Sequence, residues 1–236
     1  MGLFKSLSVI SFFTLVSRIL GLVREMVVAA KFGASASTDA LFVAFRIPNL
    51  LRRLFAEGAF AQAFVPILSE YREREGDERA KLLIGHVASL LSVLLLVISI
   101  LGVLCAPYLV YVIATGFNDA GDQAELTINL IRFTFPYLLF ISLTSLFASV
   151  LNTWGRFAVP AFTPALLNIS FIGSAIYLTP FFDPPIMALG LAILMGGAAQ
   201  LLFQIPFLLR LKLWPKFHWN PTDPGVIQIL KRMAPA

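Results

Sequence analysis

Four stretches of this chain contain no Lys, Arg, Asp or Glu: residues 82–118, 133–155, 157–182 and 184–209. A helix rises about 1.5 Å per residue, so roughly 20 apolar residues cross the ~30 Å hydrocarbon core of a bilayer. Each stretch is long enough for that. Charged residues make up 13% of the 236 and hydrophobic residues 58%, whereas soluble domains carry about 25% charged residues. The chain lacks the polar surface that a soluble fold needs. A single cysteine, Cys105, excludes a disulfide scaffold, and 22 Phe exclude a disordered chain. The expected fold class is an all-α, polytopic membrane protein.

The breaks between the stretches carry turn chemistry, at Gly116 to Gly121, Asn152 to Arg156 and Thr179 to Pro185. The first 70 residues are also apolar but hold charges, and Phe32-Gly33-Ala34-Ser35 divides them. Thr38 or Asp39 is the expected cap of the helix that follows. Spans are therefore expected at about 8–31, 38–68, 84–113, 127–151, 158–179 and 186–209. The start has one basic residue, Lys5, and no short apolar core before a small-residue cleavage site, so it does not read as a cleavable signal peptide. The segment 70–81, EYREREGDERAK, reads as a solvated loop. In the tail, Asp223 and Pro224 open a helix that places Val226, Ile227, Leu230 and Met233 on one face. It is either an amphipathic surface helix or the lead-in to a further span.

The net charge is +5. Basic residues gather in alternate loops: Lys5, then Arg72, Arg74, Arg79 and Lys81, then Arg156, then Arg210, Lys212, Lys216, Lys231 and Arg232. The opposite loops hold only Lys31. The positive-inside rule then puts the N-terminus and the tail in the cytoplasm. The loops account for the basic excess, so no nucleic-acid partner is expected. Six arginines remain inside or at the edges of spans: Arg18, Arg24, Arg46, Arg52, Arg53 and Arg132.

Five of these six lie in the first two helices. If the first helix enters at residue 8, Arg18 sits about 15 Å deep, near mid-bilayer. One Arg there costs about 2.5–3.5 kcal/mol on insertion scales. Arg18 and Glu25 are seven apart and share a face. Asp39, Arg46, Arg53 and Glu57 form a second stripe, subject to the interruption at Pro48. Ion pairs such as Arg18 with Glu57, or Arg24 with Asp39 or Glu25, would satisfy some of the charge. With Lys31, however, these helices hold six bases against three acids. The excess points to a water-filled cationic cavity for an anion, and arginine's planar fork favours phosphate. Prolines and Gly21, Gly58 and Gly102 fit a bundle that rocks between two shapes.

The segment Ser17-Arg18-Ile19-Leu20-Gly21-Leu22-Val23-Arg24-Glu25, with Phe32-Gly33 and Thr38-Asp39-Ala40, resembles the opening of the MurJ (MviN) family. These are bacterial lipid II flippases of the MOP exporter superfamily. The run from Phe42 to Phe60, which includes Arg46-Ile47-Pro48-Asn49-Leu50-Leu51-Arg52-Arg53 and Glu57-Gly58, is similar to the family's most specific signature. Asn152-Thr153-Trp154, Pro160-Ala161-Phe162 and Leu167-Asn168-Ile169 are similar as well.

The resemblance implies one six-helix lobe of a MOP/MATE-like transporter. Residues 1–209 would be that N-terminal lobe, and 210–236 a cytoplasmic amphipathic segment leading to a missing C-terminal lobe. It implies that Arg18, Arg24 and Arg52 line a cavity for the headgroup of lipid II, with Asp39 implicated. Arg46, Arg53 and Asn49 join this cavity set. Ser17 and Glu57 are implied at a cytoplasmic gate, where Gly21 is also placed, and Glu25 is a candidate ion-pair partner. Expected partners are lipid II, membrane lipid and cell-wall synthesis proteins, in the bacterial inner membrane. The rivals are a polyprenyl-linked polysaccharide flippase or multidrug antiporter of the same superfamily, or a non-transporting scaffold of a cell-wall complex. No enzyme chemistry is expected. The two histidines, His86 and His218, lie at a span edge and in the tail, and no acidic cluster lies within the spans to hold a metal. No cofactor is expected either.

Overall fold

A computed structural model describes residues 3–52, 59–114 and 121–233. The described residues are all helical or connecting. They form α1 (Leu3–Phe32), α2 (Ala36–Arg52), α3 (Ala59–Leu104), α4 (Ala106–Ile113), α5 (Gly121–Thr134), α6 (Tyr137–Thr153), α7 (Ala158–Gly173), α8 (Met187–Arg210) and α9 (Pro224–Met233). Beyond α7 the chain continues through a π turn, Ser174–Leu178, and a 3₁₀ turn, Thr179–Phe181.

Among the described residues, four helical stretches are long and apolar enough to cross a membrane: Phe60–Leu104, Gly121–Thr153, Ala158–Phe181 and Met187–Arg210. They correspond to the four charge-free stretches. The charge-bearing α1 and α2 are not among them. Arg18, Arg24, Glu25 and Lys31 interrupt α1, and Asp39, Arg46 and Arg52 interrupt α2. Of the expected span 38–68, α2 is described to Arg52 and α3 from Ala59, and residues 53–58 lie outside the described set.

Several boundaries differ from the sequence reading, each for a local reason. Helix α2 is capped by Ser35, one turn before the expected Thr38 or Asp39. The Ser35 hydroxyl accepts the Thr38 backbone N–H at 3.3 Å, and the Thr38 hydroxyl donates to Gly33 O at 3.1 Å. The segment 70–81 is helix on both sides of a break at Gly76 (φ 84°), not a loop. Its charges pair along the helix, Arg74 with Glu70 at 2.8 Å and Arg79 with Glu75 at 3.2 Å. An alternating-sign run is as compatible with a salt-bridged helix as with a loop. Arg72 also ties this region to the end of α6. It donates to Thr153 O at 2.8 Å and lies 4.5 Å from the Trp154 ring centre. Of the prolines, Pro107 and Pro136 sit at helix breaks, whereas Pro48, Pro66, Pro164 and Pro206 lie inside continuous helices.

The core has two parts. One joins α3, α6, α8 and α9 through Phe64, Ile67, Leu83, Leu146, Leu208 and Ile229. The other joins α2, α4, α5 and α8 through Ala44, Val110, Leu130, Ile131 and Ile193. Gly196 and Gly197 let α8 approach both neighbours closely. A Cβ on Gly196 would lie 2.6 Å from Leu167 Cδ1, and one on Gly197 2.6 Å from Tyr137 Cδ2. Helix α1 lies along α7, and α2 along α5 and α6.

After α8 the chain turns back along α3. His218 N donates to Ser89 Oγ at 3.0 Å. Helix α9 then packs on α3 with Gly225, Val226 and Ile229 buried. The inward stripe is rotated from the expected one, and Ile227 is 38% exposed. Asp223, itself buried, accepts from Gly225 N at 2.9 Å and lies 3.2 Å from His86 Nδ1 and 3.5 Å from Arg79 Nη2. His86 is thus part of a helix-docking contact.

Candidate functional site

A cavity of about 500 Å³ opens between α1, α2, α6, α7 and α8. Arg24 is the cation on its wall, with Asn49, Thr144, Ser145, Thr163, Asn168, Gln200 and Gln204 as neighbours and Phe45, Tyr137 and Leu167 as apolar surface. Arg24 lies on the half-buried face of α1, towards α7. Its Nη1 donates to Asn168 Oδ1 at 3.2 Å, and its Nη2 pairs with Glu25 Oε1. The guanidinium carbon lies 5.3 Å from the Phe171 ring centre. Asn168 Nδ2 in turn donates to Ser17 O at 3.0 Å. The Arg24 side chain remains 28% exposed, so its fork is held in place with room left for an anion.

This arrangement follows from the sequence of both helices. Residues 17, 21 and 24 of α1 fall on one face, and that face packs on α7 with room for a side chain at Gly21. A Cβ there would stand 3.6 Å from Asn168 Nδ2.

The opposite wall is neutral and polar. Gln200 Nε2 donates to Thr163 O at 3.2 Å, and Gln204 Nε2 to Thr163 Oγ1 at 3.2 Å. The Thr163 hydroxyl itself donates to Val159 O at 2.8 Å. Gln200 Oε1, Gln204 Oε1 and Thr144 Oγ1 are buried without a hydrogen-bond partner. Leaving a buried polar group unmet costs about 1–3 kcal/mol.

The candidate residues are distributed as follows. Arg24 and Asn49 line the cavity together, Glu25 pairs with Arg24, and Ser17 and Gly21 touch it through Asn168. Arg18 shares the exposed side of α1 with Glu25, as the seven-residue spacing requires, and Asp39 and Arg46 share the exposed side of α2. Among the described residues, Arg18, Asp39 and Arg46 have no side-chain ion pair, and the pairing of Arg24 with Asp39 does not occur. Arg53 and Glu57 lie outside the described residues, and so does the Arg52 side chain. Among the described residues no group of His, Cys, Asp or Glu is placed to hold a metal. Lys31, expected in a loop, donates instead to Ala175 O and Ile176 O in the π turn after α7.

The sequence reading missed Thr144, Thr163, Gln200 and Gln204 as cavity residues. The signal was present in Gln200 and Gln204, two amides one helical turn apart in a span otherwise devoid of strongly polar side chains.

Comparison with known proteins agrees with this architecture. A flippase MurJ from Burkholderia cenocepacia is 45% identical over 240 residues, covering 100% of this chain and 46% of its own length. The solved structure of a lipid II flippase MurJ in an inward closed conformation superposes with a TM-score of 0.74 at 30% identity, over 96% of this chain and 46% of that one. A MOP superfamily transporter from Pyrococcus furiosus shares the fold, with a TM-score of 0.73 at 14% identity over 98% of this chain and 51% of that one. The chain thus spans about half the length of the relatives it matches. The family model described as lipid II flippase MurJ matches residues 28–236, and this multi-pass, all-helical membrane chain belongs to that family.

Proposed function

We propose that this chain supplies the N-terminal lobe of a transporter that moves lipid II from the cytoplasmic to the outer face of the inner membrane. Residues 1–209 form the lobe, and 210–236 lead on towards a second lobe on the cytoplasmic side. Basic residues gathered towards one side, Arg72, Arg74, Arg79, Lys81, Arg156, Arg210, Lys212 and Lys216, support that orientation. One observation carries the reading: the Arg24 fork is fixed by Asn168 beside a polar cavity bounded by bilayer-length helices. The guanidinium, 28% exposed and held by Asn168 and Glu25, offers its remaining N–H donors to the pyrophosphate of a lipid-linked headgroup, which competes with Glu25 for it. Arg18 and Arg46, unpaired among the described residues, extend the positive field along the faces of α1 and α2. The family resemblance assigns Arg52, Arg53 and Asp39 to the same charged wall, and Ser17, Gly21 and Glu57 to its inner gate.

The transport step needs no bond making or breaking in the protein. The headgroup enters a cavity open to the cytoplasm, the lobes rock, and the cavity opens outwards. The lipid tail stays in the bilayer. The test is rescue of bacteria depleted of their own lipid II flippase by the full-length protein. The expected result is rescue by the wild type and loss with Arg18→Ala or Arg24→Ala at equal expression. Failure of the well-expressed wild type would instead favour a polyprenyl-linked sugar carrier of the same superfamily.

A further inference from the structure

The wall facing Arg24 carries hydrogen-bond acceptors whose direction is fixed by their other bonds. The carbonyl of Thr163 can only accept, so the amide that meets it from Gln200 must present nitrogen, and Gln200 Oε1 is left over. The Thr163 hydroxyl spends its hydrogen on Val159 O, so its oxygen can only accept from Gln204, and Gln204 Oε1 is left over in the same way. Thr144 Oγ1 on α6 lines the same cavity and is also unpartnered. Gln200 and Gln204 are 3% and 0% exposed, so bulk water does not reach them freely. The native fold therefore buries two amide oxygens that need donors and, at Thr144, a hydroxyl free to accept or donate.

The required ligand chemistry follows from the surroundings. A hard cation would need several anionic or carbonyl oxygens, and among the described residues this cavity is lined by no carboxylate and does contain the Arg24 guanidinium. The site suits a neutral group rich in O–H and N–H, attached to an anion that Arg24 can hold. We infer that Gln200, Gln204 and Thr144 form a neutral acceptor subsite for the hydroxyl and acetamido N–H groups of the phosphate-linked sugar. This rests on the lipid-linked reading above and adds to it the residues that read the carbohydrate. Discrimination is strong in such a site because a ligand lacking the donors leaves buried acceptors unmet.

The test measures binding of three ligands to the full-length protein: a polyprenyl pyrophosphate, the same lipid bearing the N-acetylated disaccharide, and the disaccharide lipid with its peptide. Gln204→Leu and the double variant Gln200→Leu/Gln204→Leu are expected to weaken both sugar-bearing ligands about tenfold or more and to leave the bare pyrophosphate unchanged. Gln204→Met, checked by its melting temperature, guards against loss through misfolding and should behave as Gln204→Leu does. Equal weakening of all three ligands, or of none, overturns the inference and leaves the oxygens to resident water or packing. Weakening of the peptide-bearing ligand alone also overturns it. Arg24→Ala should weaken all three. If it weakens none, the lipid-linked reading itself fails, while the glutamine comparison can still be read.

Discussion

Arg24 Nη1 sits 3.2 Å from Asn168 Oδ1, and the other end of the same amide holds Ser17 O at 3.0 Å. One asparagine on α7 thus grips α1 at two points one helical turn or more apart. It fixes the arginine's direction and the helix's height together. Asn168→Leu should preserve apolar packing but release both contacts. The expected outcome is about tenfold slower transport by the full-length protein at unchanged expression. Asn168→Gln should also fail to restore it, because the longer side chain displaces the amide. Wild-type transport in Asn168→Leu would mean that Arg24 needs no support from α7.

The close approach of α8 to α6 depends on Gly197. A methyl group there would meet the Tyr137 ring at 2.6 Å, and Tyr137 is itself 1% exposed with no space to yield. Gly197→Ala should destabilise the bundle by about 1–3 kcal/mol, as overpacking does. Thermal unfolding in detergent checks this, and Gly121→Ala, where a Cβ meets nothing within 4 Å, serves as the neutral comparison.

Docking of α9 depends on Asp223. A helix of 10 residues is marginal by itself, and this one is held by the Asp223 cap, the His86 and Arg79 contacts, and burial of Val226 and Ile229. Asp223→Ala removes the cap, worth about 0.5–2 kcal/mol, and takes the carboxylate away from His86, leaving Arg79 with Glu75 alone. Hydrogen exchange across 224–233 should speed up markedly while exchange in α8 is unchanged. Asp223→Asn retains the capping oxygen and should give a smaller effect.

At Gly76 the backbone takes φ 84° and ψ 175°, a region open essentially to glycine alone. Gly76→Ala should cost about 1–3 kcal/mol, with no steric clash, since nothing lies within 4 Å of its Cβ position. A melting experiment that found Gly76→Ala neutral would argue that the break in α3 is not part of the native structure.

Much of the fold was legible because a bilayer permits few solutions. Long charge-free runs must be helices, and the four that meet the length and composition test lie where such runs were found. The finer errors arose where two local structures share one composition. The residues 70–81 pair their charges equally well in a helix, and Ser35 competes with Thr38 as a cap. The arginines of the first two helices stood out by their cost in lipid, and of those described Arg24 alone lines the cavity, while Arg18 and Arg46 lie on the exposed sides of α1 and α2. The neutral wall did not stand out, because Gln200, Gln204 and Thr144 are inexpensive enough in a span to pass unnoticed. The meaning of the two glutamines appears only when Thr163 on the adjacent helix α7 fixes which way their amides point.

The account rests on Arg24 acting as the anion anchor of the cavity. The most direct measurement is outward movement of labelled lipid II in vesicles containing the full-length protein, comparing wild type, Arg24→Lys and Arg24→Ala at matched protein content. The account predicts that Arg24→Ala abolishes movement and that Arg24→Lys retains a small part of it, since a lysine keeps the charge but not the two-pronged geometry. Undiminished movement with Arg24→Ala would contradict the account.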